Sequence, residues 1–585
     1  MARPAVRTSV VNVLVIGSGG AGLRAAVAAH EAGAQAAILA KRARGDAHTV
    51  LAAGGINAAL GTRDPEDSWQ QHFADTLREG YFLGDPRTVE IMTREAPAAV
   101  LELADWGCAF ARTPDGKIDQ RFFGAHRWRR TAYAGDFTGR AMVRALAGRV
   151  TALGIPVVEG QYVSRLLVAE DTCFGALAFD LQTGERTAWL ADAVVLCAGG
   201  HTRLWRRSSS RRDENYGEGM ALGLRAGGRL MDMELVQFHP TGMLVPEEAA
   251  GTLVTEAVRG EGGRLFNAAG ERFMQRYDAK RLELSTRDRV ALAAYTEIKE
   301  GRGGPNGGVF LDITHLGREL ILEKLPRMYR QFIEYQMLDI SKQRMEVAPT
   351  AHYSMGGLVV DPETHATGVP GLYAAGECTA GLHGANRLGG NSLVETVVFG
   401  RRAGEAAARR ALERDFQLRP RRVVEEASAE LDALVKPGSE LARPLQRAVR
   451  DLMWEECGVV RDAAGLGRGL ERLAGVASAA ERVDVRPSAE GWGDLVHLLD
   501  LRAALVTAEA TLRCALERRE TRGCHNRSDF PALDPGLKVN LHVRRDDASG
   551  RLEVRPVPVP PVPAELASWA DEAHPLEVGG DKLLE

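Results

Sequence analysis

The opening segment of the chain encodes a strand, a glycine-rich turn, a helix and a second strand in succession. The run "VVNVLVIG" (Val10–Gly17) is rich in β-branched residues, as is typical of a buried strand, and "AQAAILAK" (Ala34–Lys41) follows the Ala-rich helical stretch as the second strand. Between them, "GSGGAG" fits G-x-G-x-x-G with Gly17, Gly19 and Gly22. Such glycines permit a tight turn, approach of the backbone to a pyrophosphate, and close packing of helix on strand. The segment therefore predicts a dinucleotide-binding α/β unit.

The residue that closes the second strand bears on which dinucleotide binds. An acidic side chain usually stands there to hold a ribose, but this chain has Lys41, which disfavours NAD and leaves FAD open. The later stretch "YAAGECT" supplies Glu377 after a small-residue strand end, where flavoproteins often contact the ribityl chain or the ring edge. A carboxylate that only caps a helix N-terminus is the alternative interpretation of Glu377.

Two further strand-then-glycine segments predict how the domains are arranged. "DAVVLCAGG" (Asp192–Gly200) and "VPGLYAAGECT" (Val369–Thr379) are distant in sequence but similar in kind. We infer an α/β class with a Rossmann-like FAD-binding domain assembled from both ends of the first part of the chain, an inserted α+β capping domain, and then a helical domain with a short C-terminal region. The predicted bounds are 1–236 and 349–415 for the FAD-binding domain, 237–348 for the capping domain, 416–530 for the helical domain and 531–585 for the C-terminal region.

Composition excludes several classes of protein. The net charge of −4 gives no global field that favours nucleic acid or an anionic membrane. The basic runs Arg127–Arg130 and Arg203–Arg212 are expected to be solvated loops, with a partner-subunit surface as the alternative. The seven cysteines form no CxxC pair, so we expect no metal site, no iron–sulfur cluster held by this chain and no disulfide framework. We expect neither a signal peptide nor a membrane-spanning segment.

Seven motifs in order resemble one known family. They are "SGGAG", "HTVLAAGGINAALG", "MELVQFHPTGM", "LVTEAVRGEGG", "STRDRV", "APTAHYSMGG" and "GLYAAGECTAGLHGANRLGGNSLVE". Together they resemble the flavoprotein (catalytic) subunit of succinate dehydrogenase and fumarate reductase, in the FAD-dependent oxidoreductase 2 superfamily. Weaker matches, "LMWEECGVVRD" and "ETRGC", extend the resemblance through the helical domain.

The resemblance implies flavin-dependent interconversion of succinate and fumarate. A substrate with two carboxylates needs fixed donors, and the family's anchors fall on His239, Thr255, His352 and Arg387. All four are donor types, and an arginine can clamp a carboxylate through two hydrogen bonds. Any one of these histidines alone would more often be a structural residue, but four donors in four matching motifs favour a substrate site.

The resemblance also assigns the proton-transfer residues. The reaction moves a hydride between substrate and flavin N5 and a proton at the adjacent carbon, and the family gives the proton to an arginine, here Arg287. Since an arginine normally stays protonated, this role is most easily that of an acid in fumarate reduction. Glu256 and Arg259 would carry the proton onward, and His239 belongs to the same catalytic group. A purely structural salt-bridge cluster is the alternative for Glu256 and Arg259.

His48 separates two branches of the superfamily. In the membrane-bound respiratory members the histidine of the "HTV" motif is attached covalently to the FAD 8α-methyl carbon, whereas L-aspartate oxidases lack it. The resemblance thus implies covalent FAD through His48. The surroundings depart from the family pattern: Ala47 replaces a small hydroxyl residue, "RARGD" precedes it, and Tyr216 and Glu218 replace the commoner threonine and aspartate. Non-covalent FAD beside an unlinked His48 is the alternative.

The expected partners follow from the family. Electrons would pass to a separate iron–sulfur subunit held by membrane-anchor subunits, and through them to quinone, at the cytoplasmic side of the cell membrane; no nucleic acid is expected. The rival functions are a soluble L-aspartate oxidase-like dicarboxylate oxidoreductase and a non-catalytic flavin electron-transfer subunit. The residues expected to contact the cofactor are Gly17, Gly19, Gly20, Ala21, Gly22, Lys41, His48, Thr49, Gly54, Gly55, Tyr162, Val163, Glu218, Glu377, Arg387, Ser392 and Leu393.

Overall fold

The computed structural model describes residues 6–546 and 548–570. Between residues 6 and 231 the described chain forms five α-helices and ten strands. The helices are α1 (Gly20–Glu31), α2 (Trp69–Glu79), α3 (Pro86–Asp105), α4 (Thr138–Ala152) and α5 (Glu218–Arg225). The strands are β1 (Arg7–Ile16), β2 (Ala36–Leu39), β3 (Ile56–Asn57), β4 (Gln120–Arg121), β5 (Thr131–Ala132), β6 (Val157–Val158), β7 (Gln161–Ala169), β8 (Thr172–Asp180), β9 (Arg186–Leu196) and β10 (Leu230–Met231).

The next part of the chain forms a separate antiparallel sheet with helices around it. Its strands are β11 (Val236–Met243), β12 (Arg264–Phe266), β13 (Val309–Asp312) and β14 (Met345–Ser354), in the order β11-β14-β13-β12. Its helices are α6 (Ala257–Gly260), α7 (Met274–Tyr277), α8 (Arg287–Glu297), α9 (Arg318–Lys324) and α10 (Pro326–Gln336). This unit is the predicted α+β capping insertion.

The chain then returns to the first domain and continues into helices. The returning elements are β15 (Gly357–Leu358), β16 (Leu372–Ala374) and α11 (Asn391–Glu413). The helical part contains α12 (Arg421–Leu434), α13 (Ala442–Glu456), β17 (Val460–Arg461), α14 (Ala463–Ala480), α15 (Gly493–Glu517) and β18 (Asn526–Arg527). The chain ends its described part with a hairpin of β19 (Val539–Arg545) and β20 (Leu552–Pro558).

The main sheet is built from distant segments. Its strand order is β6-β2-β1-β9-β8-β7, and β16 also pairs with β9. β1 runs parallel to both β2 and β9, while β16 lies parallel to the carboxyl end of β9, from Val194 to Leu196. The predicted assembly of one α/β domain from both ends is therefore confirmed, together with the fold class. The exact domain bounds stay a prediction, and residues 571–585 of the predicted C-terminal region lie outside the described residues.

Small residues let α1 and α11 pack closely beneath this sheet. A Cβ on Gly404 would lie 2.2 Å from the carbonyl oxygen of Ala25, and one on Gly400 would lie 2.7 Å from that of Ala21. Because these neighbours are backbone atoms, neither glycine can be enlarged without moving a helix. The two helices thereby bring their N-termini to the same side of the sheet, where the carboxyl ends of β1 and β9 also lie.

The expectation that both basic runs are solvated is wrong at particular positions. Arg130 is fully buried and lies 2.8 Å from Asp67 and 2.7 Å from Asp75, and Arg203 is 5% exposed. A guanidinium can be buried where carboxylates compensate its charge, and a run of sequence letters does not reveal that partner. All seven cysteines are buried and unpaired. Within the described residues, no helix is long and apolar enough to cross a membrane, and no group of three or more potential metal ligands comes together.

Candidate active site

One continuous cavity runs between the α/β domain and the capping sheet. It collects nearly all of the residues predicted for the cofactor and the substrate. The predicted residues that line it are Gly17, Gly19, Gly20, Ala21, Lys41, His48, Thr49, Gly54, Gly55, Tyr162, Val163, Glu218, His239, Thr255, Glu256, Arg287, His352, Glu377, Arg387, Ser392 and Leu393. Gly22 and Arg259 do not line it, and both pack directly behind residues that do.

The glycine-rich turn has the geometry that a pyrophosphate requires. Gly17 has φ +113°, and a Cβ there would lie 2.1 Å from the carbonyl oxygen of Cys197. A Cβ on Gly22 would lie 1.9 Å from the carbonyl oxygen of Gly17, which is why α1 can start so close to β1. Gly19 is the N-cap of α1 and has no side chain to satisfy the first turn, which also contains no acidic residue. The helix N-terminus is thus available to an anion.

A second uncapped helix N-terminus meets the same cavity. α11 follows Gly390, which has φ +86° and provides no side-chain cap, and Ser392 and Leu393 of its first turn line the cavity. Glu377, which also lines the cavity, accepts a hydrogen bond from the Ser354 backbone N–H at 3.0 Å, and desolvation raises its pKa. Two helix N-termini, a glycine cradle and a long cavity fit a dinucleotide with a flavin at one end.

Lys41 sits in a network that sequence reasoning missed. Its ammonium lies 3.1 Å from Asp500 and 3.5 Å from Glu218, and it stands over the Tyr162 ring at 5.1 Å. The Tyr162 hydroxyl donates to Asp500 at 2.8 Å. Burial opposes the charge on Lys41, but the two carboxylates raise its pKa to about 12, and burial raises the pKa of Glu218 to about 7. Acidic groups are therefore present beside the second strand, although one of them comes from α15.

The loop that carries His48 also contains two glycines. A Cβ on Gly54 would lie 2.4 Å from the Phe123 ring, and one on Gly55 would lie 2.4 Å from the Thr131 methyl. Both glycines line the cavity, as expected of cofactor contacts, but their protein neighbours alone already require glycine at the two positions. Thr49 accepts a hydrogen bond from the Gly20 N–H at 3.1 Å and ties the loop to the phosphate turn.

His48 is paired with a carboxylate. Its Nδ1 lies 2.8 Å from Glu214 Oε1, and Glu214 also accepts a hydrogen bond from the Arg211 backbone N–H at 3.0 Å. Burial opposes charge on both groups, but their mutual attraction raises the pKa of His48 and lowers that of Glu214 to about 2. Glu214 was not predicted; its isolated position in "RRDENYGEG" offers no signal of this contact.

The two predicted substrate histidines meet across paired strands. His239 of β11 and His352 of β14 have ring centroids 5.3 Å apart at 75°. The Nδ1 atoms contact Thr241 and the Ser209 hydroxyl, the latter at 2.9 Å, so each Nε2 is left for a ligand. Burial, reinforced by neighbouring cationic groups, lowers both pKa values well below the ordinary range. Both rings are therefore neutral and can serve as hydrogen-bond donors to a carboxylate.

The predicted proton-transfer residues form a contiguous chain. Arg287 Nε donates to Glu256 Oε2 at 2.6 Å, and Arg259 Nη2 lies 3.6 Å from the same oxygen. Burial opposes ionisation of Glu256, yet the two guanidinium groups lower its pKa to about 2. Arg259 is fully buried and donates to the Glu283 carbonyl at 2.6 Å. The structure brings the three residues together; their role in catalysis stays a prediction.

Gln237 joins the two arginines that face the cavity and was not predicted as a site residue. Its Oε1 accepts one hydrogen bond from Arg287 Nη1 and one from Arg387 Nη2, both at 3.0 Å. Arg387 also stacks over the Tyr353 ring at 4.3 Å, and burial, with repulsion from Arg287, lowers its pKa to about 10. The signal was available in the motif "VQFHPTG", where Gln237 stands two residues before His239.

A dinucleotide cradle that continues into a chamber of guanidinium and neutral imidazole groups defines an FAD-dependent oxidoreductase acting on a small anionic substrate. Comparison with known proteins agrees. A family described as "FAD binding domain" matches residues 12–393, and one described as "Fumarate reductase flavoprotein C-term" matches residues 446–568. The chain belongs to the family of succinate dehydrogenase and fumarate reductase flavoprotein subunits.

Similar sequences carry the names of this family. A protein of Methanothermobacter marburgensis, named as one of the subunits of fumarate reductase (CoM/CoB), is 43% identical over 91% of this chain and 97% of its own length. The mitochondrial succinate dehydrogenase [ubiquinone] flavoprotein subunit of Oryza sativa subsp. japonica is 36% identical over 96% of this chain and 92% of its own. The predicted family and FAD as its cofactor are thereby confirmed, and covalent attachment stays a prediction.

Two solved structures show the same fold over most of their length. A structure described as Mycobacterium smegmatis Sdh1 in complex with UQ1 superposes with a TM-score of 0.86 at 40% identity, covering 95% of each chain. One described as quinol-fumarate reductase with menaquinol molecules gives a TM-score of 0.90 at 34% identity, covering 95% of this chain and 99% of its own. The fold prediction for the capping and helical parts is supported by this coverage.

Proposed function

We propose that this chain interconverts succinate and fumarate with FAD and passes electrons to a separate iron–sulfur subunit. The observation that carries the proposal is the convergence of His239, Thr255, His352, Arg287 and Arg387 on one chamber of the cofactor cavity. FAD, when bound, supplies the hydride transfer. The protein's own side chains bind the dicarboxylate, orient it and handle the proton.

The charges of the chamber match a dianion. The guanidinium groups of Arg287 and Arg387 provide two positive charges, and both histidines are neutral donors. An arginine fork matches a carboxylate through two parallel hydrogen bonds, and burial strengthens that attraction. The relatives compared above are named as fumarate reductase and succinate dehydrogenase subunits, which supports succinate and fumarate over the aspartate oxidase alternative.

Proton transfer is proposed to run through the contiguous arginine–glutamate chain. In fumarate reduction Arg287 donates the proton to the substrate carbon, and Glu256, at 2.6 Å from Arg287 Nε, passes back to it a proton that Glu256 first accepts from the side of Arg259. Arg259 lies on the far side of Glu256 at 3.6 Å and continues the path. Before the transfer Glu256 is ionised, because burial opposes its charge but the guanidinium groups of Arg287 and Arg259 lower its pKa to about 2.

The electron partners and the location are part of the proposal. Membrane anchors, together with the iron–sulfur subunit, would place this chain at the cytoplasmic side of the cell membrane, in a peripheral position. The name of one relative includes ubiquinone and the name of another includes CoM/CoB, so the names do not agree on one final electron partner. We therefore propose the iron–sulfur subunit as the direct electron partner of this chain. We also propose that FAD is attached through His48.

The test uses the purified protein with artificial electron carriers. We expect fumarate-dependent oxidation of a reduced viologen and succinate-dependent reduction of a phenazine dye, with no turnover of L-aspartate. A denaturing gel viewed under ultraviolet light should show flavin fluorescence on the protein band. Aspartate oxidation without fumarate or succinate turnover would contradict the proposed reaction. Free flavin alone would contradict only the covalent link.

A further inference from the structure

The contact between His48 and Glu214 fixes which nitrogen of the imidazole can react. Nδ1 and Glu214 Oε1 are 2.8 Å apart, and the two side chains are 22% and 12% exposed. Glu214 is itself held by the Arg211 backbone N–H at 3.0 Å. An ionised carboxylate only accepts hydrogen bonds, so the proton of the neutral imidazole resides on Nδ1. The lone pair of His48 is therefore on Nε2, which makes no hydrogen bond to the described protein.

The same arrangement increases the electron density on Nε2. A carboxylate that accepts the Nδ1 proton makes an imidazole more basic and fixes the ring's orientation, as it does for histidines that bind metals or act as general bases. His48 belongs to a short turn, His48–Leu51, and Glu214 comes from the loop before α5, 166 residues away. The pairing therefore exists only in the folded protein, beside the cavity that both residues line.

We propose that Glu214 is the positioning residue for covalent attachment of the flavin to His48. This inference rests on the covalent link in the proposed function and names the group that directs it. A bond forms between Nε2 and the flavin 8α carbon, one C–H bond at that carbon breaks and its hydrogen leaves as a proton. The two electrons remain on the flavin and pass to fumarate, which takes up two protons and becomes succinate, or to oxygen.

The charged groups around His48 predict a pH dependence for the attachment. Glu214 and Glu377 favour the protonated ring, whereas Arg211, from the same loop as Glu214, and His352 of β14 disfavour it. Burial alone would lower the pKa of His48, and Glu214 reverses that shift. A doubly protonated ring has no lone pair, so the rate of attachment should rise as pH increases through the raised pKa of His48.

The experiment compares the wild type with Glu214→Gln. Protein prepared without flavin is incubated with FAD and fumarate at several pH values, and attachment is followed by in-gel flavin fluorescence and intact mass. We expect Glu214→Gln to attach FAD about 10- to 100-fold more slowly on the alkaline plateau, the size of effect seen when a histidine loses its carboxylate partner. Its pH midpoint should move to lower pH, because burial then dominates the pKa of His48. A purely structural defect would slow attachment without this acid shift.

The matched controls separate this role from others. Asp213→Asn removes the neighbouring carboxylate, which pairs with Arg42, and should attach FAD like the wild type. Glu214→Asp keeps the negative charge on a shorter side chain. It should keep the wild-type pH midpoint and attach FAD at a reduced rate. If Glu214→Gln binds no FAD, Glu214→Asp takes its place in the comparison. A wild-type rate in Glu214→Gln or in Glu214→Asp overturns the proposal. If the wild-type protein shows no fluorescent band, the covalent link itself is overturned as well. Fumarate turnover tests the proposed reaction independently of that link.

Discussion

Gln237 couples the two arginines of the substrate chamber, and replacing it with leucine tests how the chamber is organised. The substitution places an apolar side chain of similar volume in this fully buried position. It removes the side-chain oxygen that accepts hydrogen bonds from Arg287 and Arg387, both at 3.0 Å. It also removes the amide that donates to Asn386 and to the Arg387 carbonyl, both at 2.8 Å. Each guanidinium group would then lose one of the contacts that orient it, while Arg287 keeps Glu256 and Arg387 keeps its stacking on Tyr353.

The magnitude follows from the two lost charge-assisted hydrogen bonds. Each contributes roughly 1.5–3 kcal/mol, so losing both removes at least about 3 kcal/mol of orientation energy. If that energy is expressed in the transition state, kcat/KM for fumarate should fall by roughly 100-fold, since each 1.36 kcal/mol corresponds to about a factor of ten.

The assay is fumarate-dependent oxidation of a reduced viologen, with flavin content and thermal unfolding measured on the same preparation. Gln446→Leu is the matched control, because Gln446 is also buried but donates to the His497 carbonyl in the helical domain. It should lose stability without a comparable loss of kcat/KM. A Gln237→Leu variant that binds flavin and keeps kcat/KM within about threefold of the wild type would refute the reasoning.

Four further outcomes follow from the structure. Gly17→Ala should yield protein without flavin, because its Cβ would meet a backbone oxygen at 2.1 Å, and the flavin absorbance of the purified protein measures this. Arg287→Lys should abolish turnover while FAD stays bound, as measured by dye assay and flavin content; substantial residual activity would remove it from proton transfer. Asp500→Asn should weaken FAD retention about tenfold in a His48→Ala background, because Lys41 then pairs with Glu218 alone, and titration of flavin fluorescence reads this out. The lowered pKa of the Glu214 carboxyl adds stability that is complete above its ordinary value of 4.5 and is lost as pH falls towards about 2, so Glu214→Gln should show a shallower acid loss of thermal stability than the wild type.

The local segments were predictable because their reasons are local. The strand β1, the turn with Gly17 and the helix α1 follow from β-branched residues, glycines and helix periodicity within one continuous stretch. The five donor residues of the chamber were found through motif resemblance, and the structure places all of them in one cavity. The variants described above test their individual roles in binding and proton transfer.

What the sequence alone determined is therefore the dinucleotide turn, the α/β class with its insertion, and the donor types of the substrate chamber. Only the tertiary structure decided which charges meet. Asp500 reaches Lys41 from a helix 459 residues away, Glu214 reaches His48 across 166 residues, and Arg130 is buried against two carboxylates. No local pattern encodes such pairs, because a buried charge is tolerated only where folding brings its partner within a few ångströms.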